Sequence, residues 1–269
     1  MSRGRPQETF EALLDAVRAE WTKLWTVRST AWLLATAVVL TVGASTLTVE
    51  IVKCPASCGA DTTKASLTGV MLGQAIVAVL AVLVMTGEYS TGMIRATIAA
   101  MPRRLVMLAA KAITVSVLVL AAGVVSVLGS LLAGWKFLPH NGFTHPANLV
   151  PLSVYYGPTL RAAVGSVLYL VLIGLFSLGV ATVVRDSGVA ITVVLGLVYV
   201  VPIVGGLIFN PHWERRFERY APTNAGLAIQ ATRGLARLPI GPWEGLAVLA
   251  AWAAAAMVAG GLMLRFRDA

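Results

Sequence analysis

The stretch Gly87–Lys111, GEYSTGMIRATIAAMPRRLVMLAAK, decides how the chain is read, because it is a polar island between two long apolar runs. Glu88 and Tyr89 close the first run, and Ser90-Thr91-Gly92 breaks it. A short helix is predicted from Met93 to Ala100, since Ser or Thr caps a helix start. Met101 is pushed out of the helical region by the proline after it, and Pro102 suits the first turn of a new helix. The predicted result is a short helix lying across a membrane surface and joining two spans.

Composition agrees with a membrane setting. Of 269 residues, 58% are hydrophobic and only 12% charged, with a mean hydropathy of +0.81. That is too apolar for a soluble domain. A hydrocarbon core of about 30 Å needs roughly 20 apolar residues per helix, so several spans fit and little chain is left over. The expected class is all-α and polytopic. Residues 1–30 would form a tail and an interfacial helix, and residues 31–269 a single membrane domain. The net charge of +9 sits in short clusters at the ends of apolar runs, which points to anionic headgroups and away from nucleic acid.

Working outward toward the N terminus, Phe10, Leu13, Leu14, Val17, Trp21, Leu24 and Trp25 recur at helical spacing, while Glu11, Asp15, Arg18 and Lys23 fill the other face. Phe10 to Arg28 is predicted to lie in the interface with Trp21 and Trp25 at headgroup depth; the alternative is a helix packed on the protein's own core. Spans are predicted over about 31–49, 67–86, 112–135, 162–184, 188–209 and 243–264. In the third, Gly123, Gly129, Gly134, Ser126 and Ser130 are small residues that let helix backbones approach in lipid.

Orientation follows from charge. Arg3, Arg5, Arg18, Lys23 and Arg28 precede the first span, so both termini are expected on the cytoplasmic side. Arg95, Arg103, Arg104, Lys111, Arg185, Arg265 and Arg267 then lie inside. The arginines at 215, 216, 219, 233 and 237 dissent, since they fall in the last outer segment, interleaved with Glu214 and Glu218.

The remaining motifs are sparse. Cys54 and Cys58, in the loop after the first span, fit a small disulfide-closed loop or two free thiols. His140 and His145 lack a carboxylate nearby and read as solvated, so no metal is assigned. There is no phosphate-cradling G-x-x-x-x-G-K-[ST], no H-E-x-x-H and no G-x-S-x-G. The spans hold almost no ionisable residue in their middles, which disfavours a proton relay. In the fifth span Pro202, Gly205 and Gly206 predict a kink. The segment after it reads either as an outer gate over a translocation path or as an ordinary capping loop.

Three stretches together resemble a known family: AEWTKLWTVRSTAW (19–32), the polar island itself, and LRAAVGSVLYLVLIGLFSLGVATVVRDSGVAIT (160–192), joined by RYAPTNAGLAI (219–229). The chain resembles the permease subunit of ATP-binding-cassette exporters of the type-2 family, in its actinobacterial form. The resemblance implies a multi-pass permease of the bacterial plasma membrane, paired with a second permease, identical or a sister chain. It implies no cofactor bound by the chain itself, ATP and Mg acting through a separate ATPase subunit. The coupling helix would be the island, with Glu88, Tyr89, Gly92, Ile94, Arg95, Pro102, Arg103 and Arg104 facing the ATPase. Arg95, Arg103 and Arg104 have a lipid-anchoring role as their alternative. The helix carrying Phe10, Leu14, Val17, Trp21, Lys23, Leu24, Trp25 and Arg28 would transmit closure of the ATPase pair. Reversing Glu88 to Arg is expected to uncouple hydrolysis from export while leaving the spans inserted. Two other classes compete: an intramembrane enzyme, which needs Glu88 and the loop histidines on one side, and a non-transporting scaffold or sensor.

Overall fold

The computed structural model describes residues 6–26, 28–53, 61–90, 92, 104–141, 156–207 and 211–266. Within these, the side chains of residues 6–9, 25, 90, 211, 212 and 214 are left out of the description. Among the described residues every regular element is a helix: α1 Pro6–Thr26, α2 Arg28–Ile51, α3 Thr62–Ser66, α4 Val70–Ser90, α5 Arg104–Phe137, α6 Gly157–Val184, α7 Ser187–Leu195, α8 Val201–Gly206, α9 Pro211–Tyr220, α10 Pro222–Leu227 and α11 Pro242–Phe266. Six helical stretches are long and apolar enough to cross a membrane, α7 and α8 together forming the fifth. The chain is a multi-pass membrane protein.

The bundle is built around α6. Its most apolar window is 61% buried against 22% for α2, and it packs on α4, α5, α7 and α11. The reason is composition: Ala162, Ala163, Gly165, Ser166, Gly174, Ser177 and Gly179 are all buried along it, and small side chains admit close neighbours where lipid supplies no hydrophobic drive. The small residues of α5 act in the same way. Gly123 faces Val167 of α6, and a Cβ on Gly129 would come within 2.8 Å of Val42 of α2. Several buried hydroxyls donate within their own helices, as in Thr41 to the Ala37 carbonyl at 2.6 Å and Thr114 to the Ala110 carbonyl at 2.8 Å, which suits apolar surroundings.

Two boundaries depart from expectation. α4 continues through Glu88 and Tyr89 to Ser90, and α5 begins at Arg104, eight residues before Ala112. At 34 residues α5 is roughly 50 Å long at 1.5 Å per residue, longer than the hydrocarbon core, so its first turns stand outside the apolar layer. The island therefore narrows to residues 91–103. Gly92 accounts for the break, with φ at +69° and its N–H on the Tyr89 carbonyl at 3.2 Å, a left-handed geometry that glycine adopts cheaply. The predicted short helix Met93–Ala100, with Ile94, Arg95, Pro102 and Arg103, lies outside the described residues, as do Cys54, Cys58 and His145.

The fifth span departs from a regular helix where the prolines and glycines predict. A π-helical turn, Gly196–Val200, separates α7 from α8. Pro202 has no N–H to give the Val198 carbonyl; the Thr223 hydroxyl of α10 donates to that oxygen instead, at 3.0 Å. Gly205 is a contact position. A Cβ there would stand 2.2 Å from the Phe217 ring of α9, whereas Gly206 has open space around it. The segment after this span folds back into the bundle: Thr223, Ala225, Gly226 and Ile229 are buried, with Gly226 against the Tyr169 ring.

Candidate functional site

The polar residues near the ends of the spans gather at two poles. At the pole carrying α1, four charged side chains from three helices meet. Lys111 of α5 is fully buried; its ammonium donates to Glu20 Oε1 at 2.8 Å and Oε2 at 2.9 Å, and to Glu88 Oε1 at 2.6 Å. Those bonds use all three of its protons. Lys23 of α1 donates to the same Glu88 oxygen. Two carboxylates and two ammonium groups balance, so the cluster is neutral in sum although Glu20, Glu88 and Lys111 are each 5% exposed or less. A buried charge without such partners is strongly unfavourable.

The local sequence sets this up. In α1 Ala16, Glu20 and Leu24 recur every four residues and form the buried stripe against α5. Phe10, Leu14 and Trp21 form a second stripe, rotated about 90° at 3.6 residues per turn, and they are exposed by 61%, 41% and 38%. Arg18, Asp15 and Thr22 lie on the remaining face, with Arg18 and Asp15 paired at 3.7 Å. α1 thus packs on the protein through one stripe and leaves an exposed apolar stripe beside it. Val17 is half-buried, and Arg28 opens α2 on the surface. The side chain of Trp25 lies outside the described residues.

The same pole is tied together at two further points. Arg104 donates to the Leu264 carbonyl at 2.8 Å, and Arg185 to that of Met263 at 3.3 Å. Both satisfy carbonyls in the last turn of α11, which otherwise lack helical partners. Arg185 sits in the left-handed region with φ at 65° as the cap of α6, and its guanidinium lies 5.6 Å from the centre of the Tyr89 ring. The structure therefore brings together Lys23, Glu88, Tyr89 and Arg104 from the residues singled out by sequence, and adds Glu20, Lys111 and Arg185. Lys111 is the residue that loop-charge reasoning misplaced. The clue to it was an isolated cation eight positions into a run that reads RLVMLAAKAITV, the situation in which a buried partner is expected.

Burial changes what substitution at Glu88 does. Arginine there would set three cations against the single Glu20 carboxylate, so the variant disrupts the pole itself as well as anything docked on it. Beside the cluster a cleft of about 430 Å³ opens between α1, α2 and α4, with Leu24, Leu33, Leu80 and Leu83 on its walls and Glu20, Lys23 and Glu88 at its polar end.

The opposite pole is held by Asp61. Its carboxylate caps α3 through the Lys64 N–H at 3.1 Å, accepts from the Thr232 hydroxyl at 2.6 Å and from the Arg233 N–H at 3.0 Å. Between the poles, Tyr169 donates to Gln74 and Tyr199 to the Met71 carbonyl. His140 is exposed, its ring Nδ1 3.0 Å from the Lys136 carbonyl. Among the described residues no three His, Cys, Asp or Glu side chains converge as metal ligands do. Neither a protein-family model nor a curated protein matches the sequence.

Proposed function

We propose that this chain is the permease subunit of an ATP-driven exporter in a bacterial plasma membrane, with the α1 pole in the cytoplasm. The observation that carries the reading is the buried cluster Glu20–Lys23–Glu88–Lys111. It joins an amphipathic surface helix to the two helices that flank residues 91–103, so a force applied to that segment reaches α1, α4 and α5 as one unit. Helices packed through small residues can shift as rigid bodies in response. A separate ATPase subunit, with its own ATP and Mg, would seat on residues 91–103 and supply that force. Two permeases would then form the path between them. Glu88 acts from within, fixing the lever to the spans, while Ile94, Arg95, Pro102 and Arg103 are left to meet the ATPase.

The test is affinity purification of the tagged full-length chain in mild detergent from its own host, with partner identification and an ATP-hydrolysis assay. The expected result is co-purification of a nucleotide-binding subunit, lost when residues 91–100 are deleted from a stably expressed chain. Recovery of the chain alone across several detergents would overturn the reading.

A further inference from the structure

At the pole opposite the charge cluster, Arg215, Arg216 and Arg219 of α9 and Arg237 of the loop before α11 surround a cavity of about 890 Å³, with Glu218 and Tyr220 also on its wall. Among the described side chains, which do not include that of Glu214, no carboxylate lies within ion-pair distance of any of the four arginines. The lining sets four arginines against one glutamate, with the Arg216 guanidinium lying 5.7 Å from the centre of the Trp213 ring, so the concavity is net positive and suits a phosphate, which guanidinium binds through paired N–H donors. The position of the cavity indicates which phosphate. α9 packs on α8 and α11. Its aromatic face holds Trp213 and Tyr220, exposed by 58% and 60%, and α8 beside it presents Ile203, Val204 and Leu207 outward. Apolar residues giving way to Trp and Tyr mark headgroup depth. Trp252 of α11 donates to the Tyr220 carbonyl at 3.1 Å, which ties the end of α9 to α11.

We propose that this arginine pocket holds the phosphate headgroup of an anionic phospholipid whose acyl chains run along α8 and α11. The pocket accounts for the arginines that oppose the general distribution of positive charge in the chain: they serve a ligand in the leaflet at this pole. The inference does not depend on the exporter reading, and its test needs no ATPase.

The full-length chain in mild detergent is titrated with phosphatidylglycerol, phosphatidylcholine or inorganic phosphate, and binding is read by native mass spectrometry and by the thermal unfolding midpoint. Phosphatidylglycerol is expected to remain bound and to raise the midpoint, less so at high salt; phosphatidylcholine and inorganic phosphate at equal concentration are not. The double variant Arg219→Gln, Arg237→Gln is expected to weaken phosphatidylglycerol binding by about tenfold per arginine, as loss of a charged hydrogen-bond partner does. Arg219→Lys with Arg237→Lys keeps most of it, and Arg18→Gln at the other pole changes nothing. Equal binding of the two lipids, undiminished binding by the Gln variant, or competition by inorganic phosphate at equal affinity would each overturn the proposal.

Discussion

Lys111 is where charge and burial meet most sharply, since its three ammonium protons are all given to two carboxylates in a fully buried position. Lys111→Met removes the cation that bonds both Glu20 and Glu88, while Lys23, the other cation on Glu88, is partly exposed. Breaking a buried pair on one side is expected to cost about 3–5 kcal/mol, read as a lower unfolding midpoint in detergent. Replacing the set together, Glu20→Gln, Glu88→Gln and Lys111→Met, removes the stranded charges and is expected to recover most of that loss. A triple variant no more stable than the single one would show that the cluster is held by packing and not by charge balance. Sequence reading placed Glu88 at the end of an apolar run and Lys23 on the polar face of the interfacial helix. It assigned Lys111 to a loop because a count of charges along the chain carries no information on which helix will supply a carboxylate. The partner that decides it, Glu20, is 91 residues away.

The elements themselves were legible to within a turn or two, because run length and the 3.6-residue period are local signals. All six spans and α1 stand where those signals put them. The exception is the start of the third span, read at about Ala112, whereas the helix that carries it already begins at Arg104, close to the helix start that Pro102 signals, and Arg104 binds the end of α11. The fifth span shows what local reading can and cannot see. Pro202 announces an irregularity, but the Thr223 hydroxyl that accommodates it comes from a later element. Gly205 and Gly206 are equivalent in sequence yet opposite in space. Gly205→Ala drives a methyl group into the Phe217 ring at 2.2 Å and is expected to destabilise by about 1–3 kcal/mol. Gly206→Ala meets nothing within 4 Å and is expected to be neutral or to gain up to about 1 kcal/mol by restricting the unfolded chain. Thermal unfolding of the two variants side by side checks this; equal effects would mean that α8 and α9 do not pack as described.

For the molecule as a whole, the two poles differ in chemistry, and that difference makes its orientation testable. The α1 pole carries a buried, internally balanced cluster and the arginines that bind the end of α11, and it flanks the segment proposed to meet an ATPase. The other carries the Asp61 clasp and the arginine pocket. Counting positive charges alone is a bias in loop composition, and here the arginines of α9 weaken it. Direct labelling resolves the point in a background with Cys54→Ser and Cys58→Ser. Ala236 and Gly188 are both exposed, the first beside the arginine pocket and the second in the first turn of α7 near Arg185. A membrane-impermeant maleimide is expected to label Ala236→Cys in intact cells and Gly188→Cys only after lysis. The reverse pattern would put residues 91–103 outside, beyond the reach of any cytoplasmic ATPase, and the exporter proposal would fail, while the lipid pocket would stand but belong to the inner leaflet.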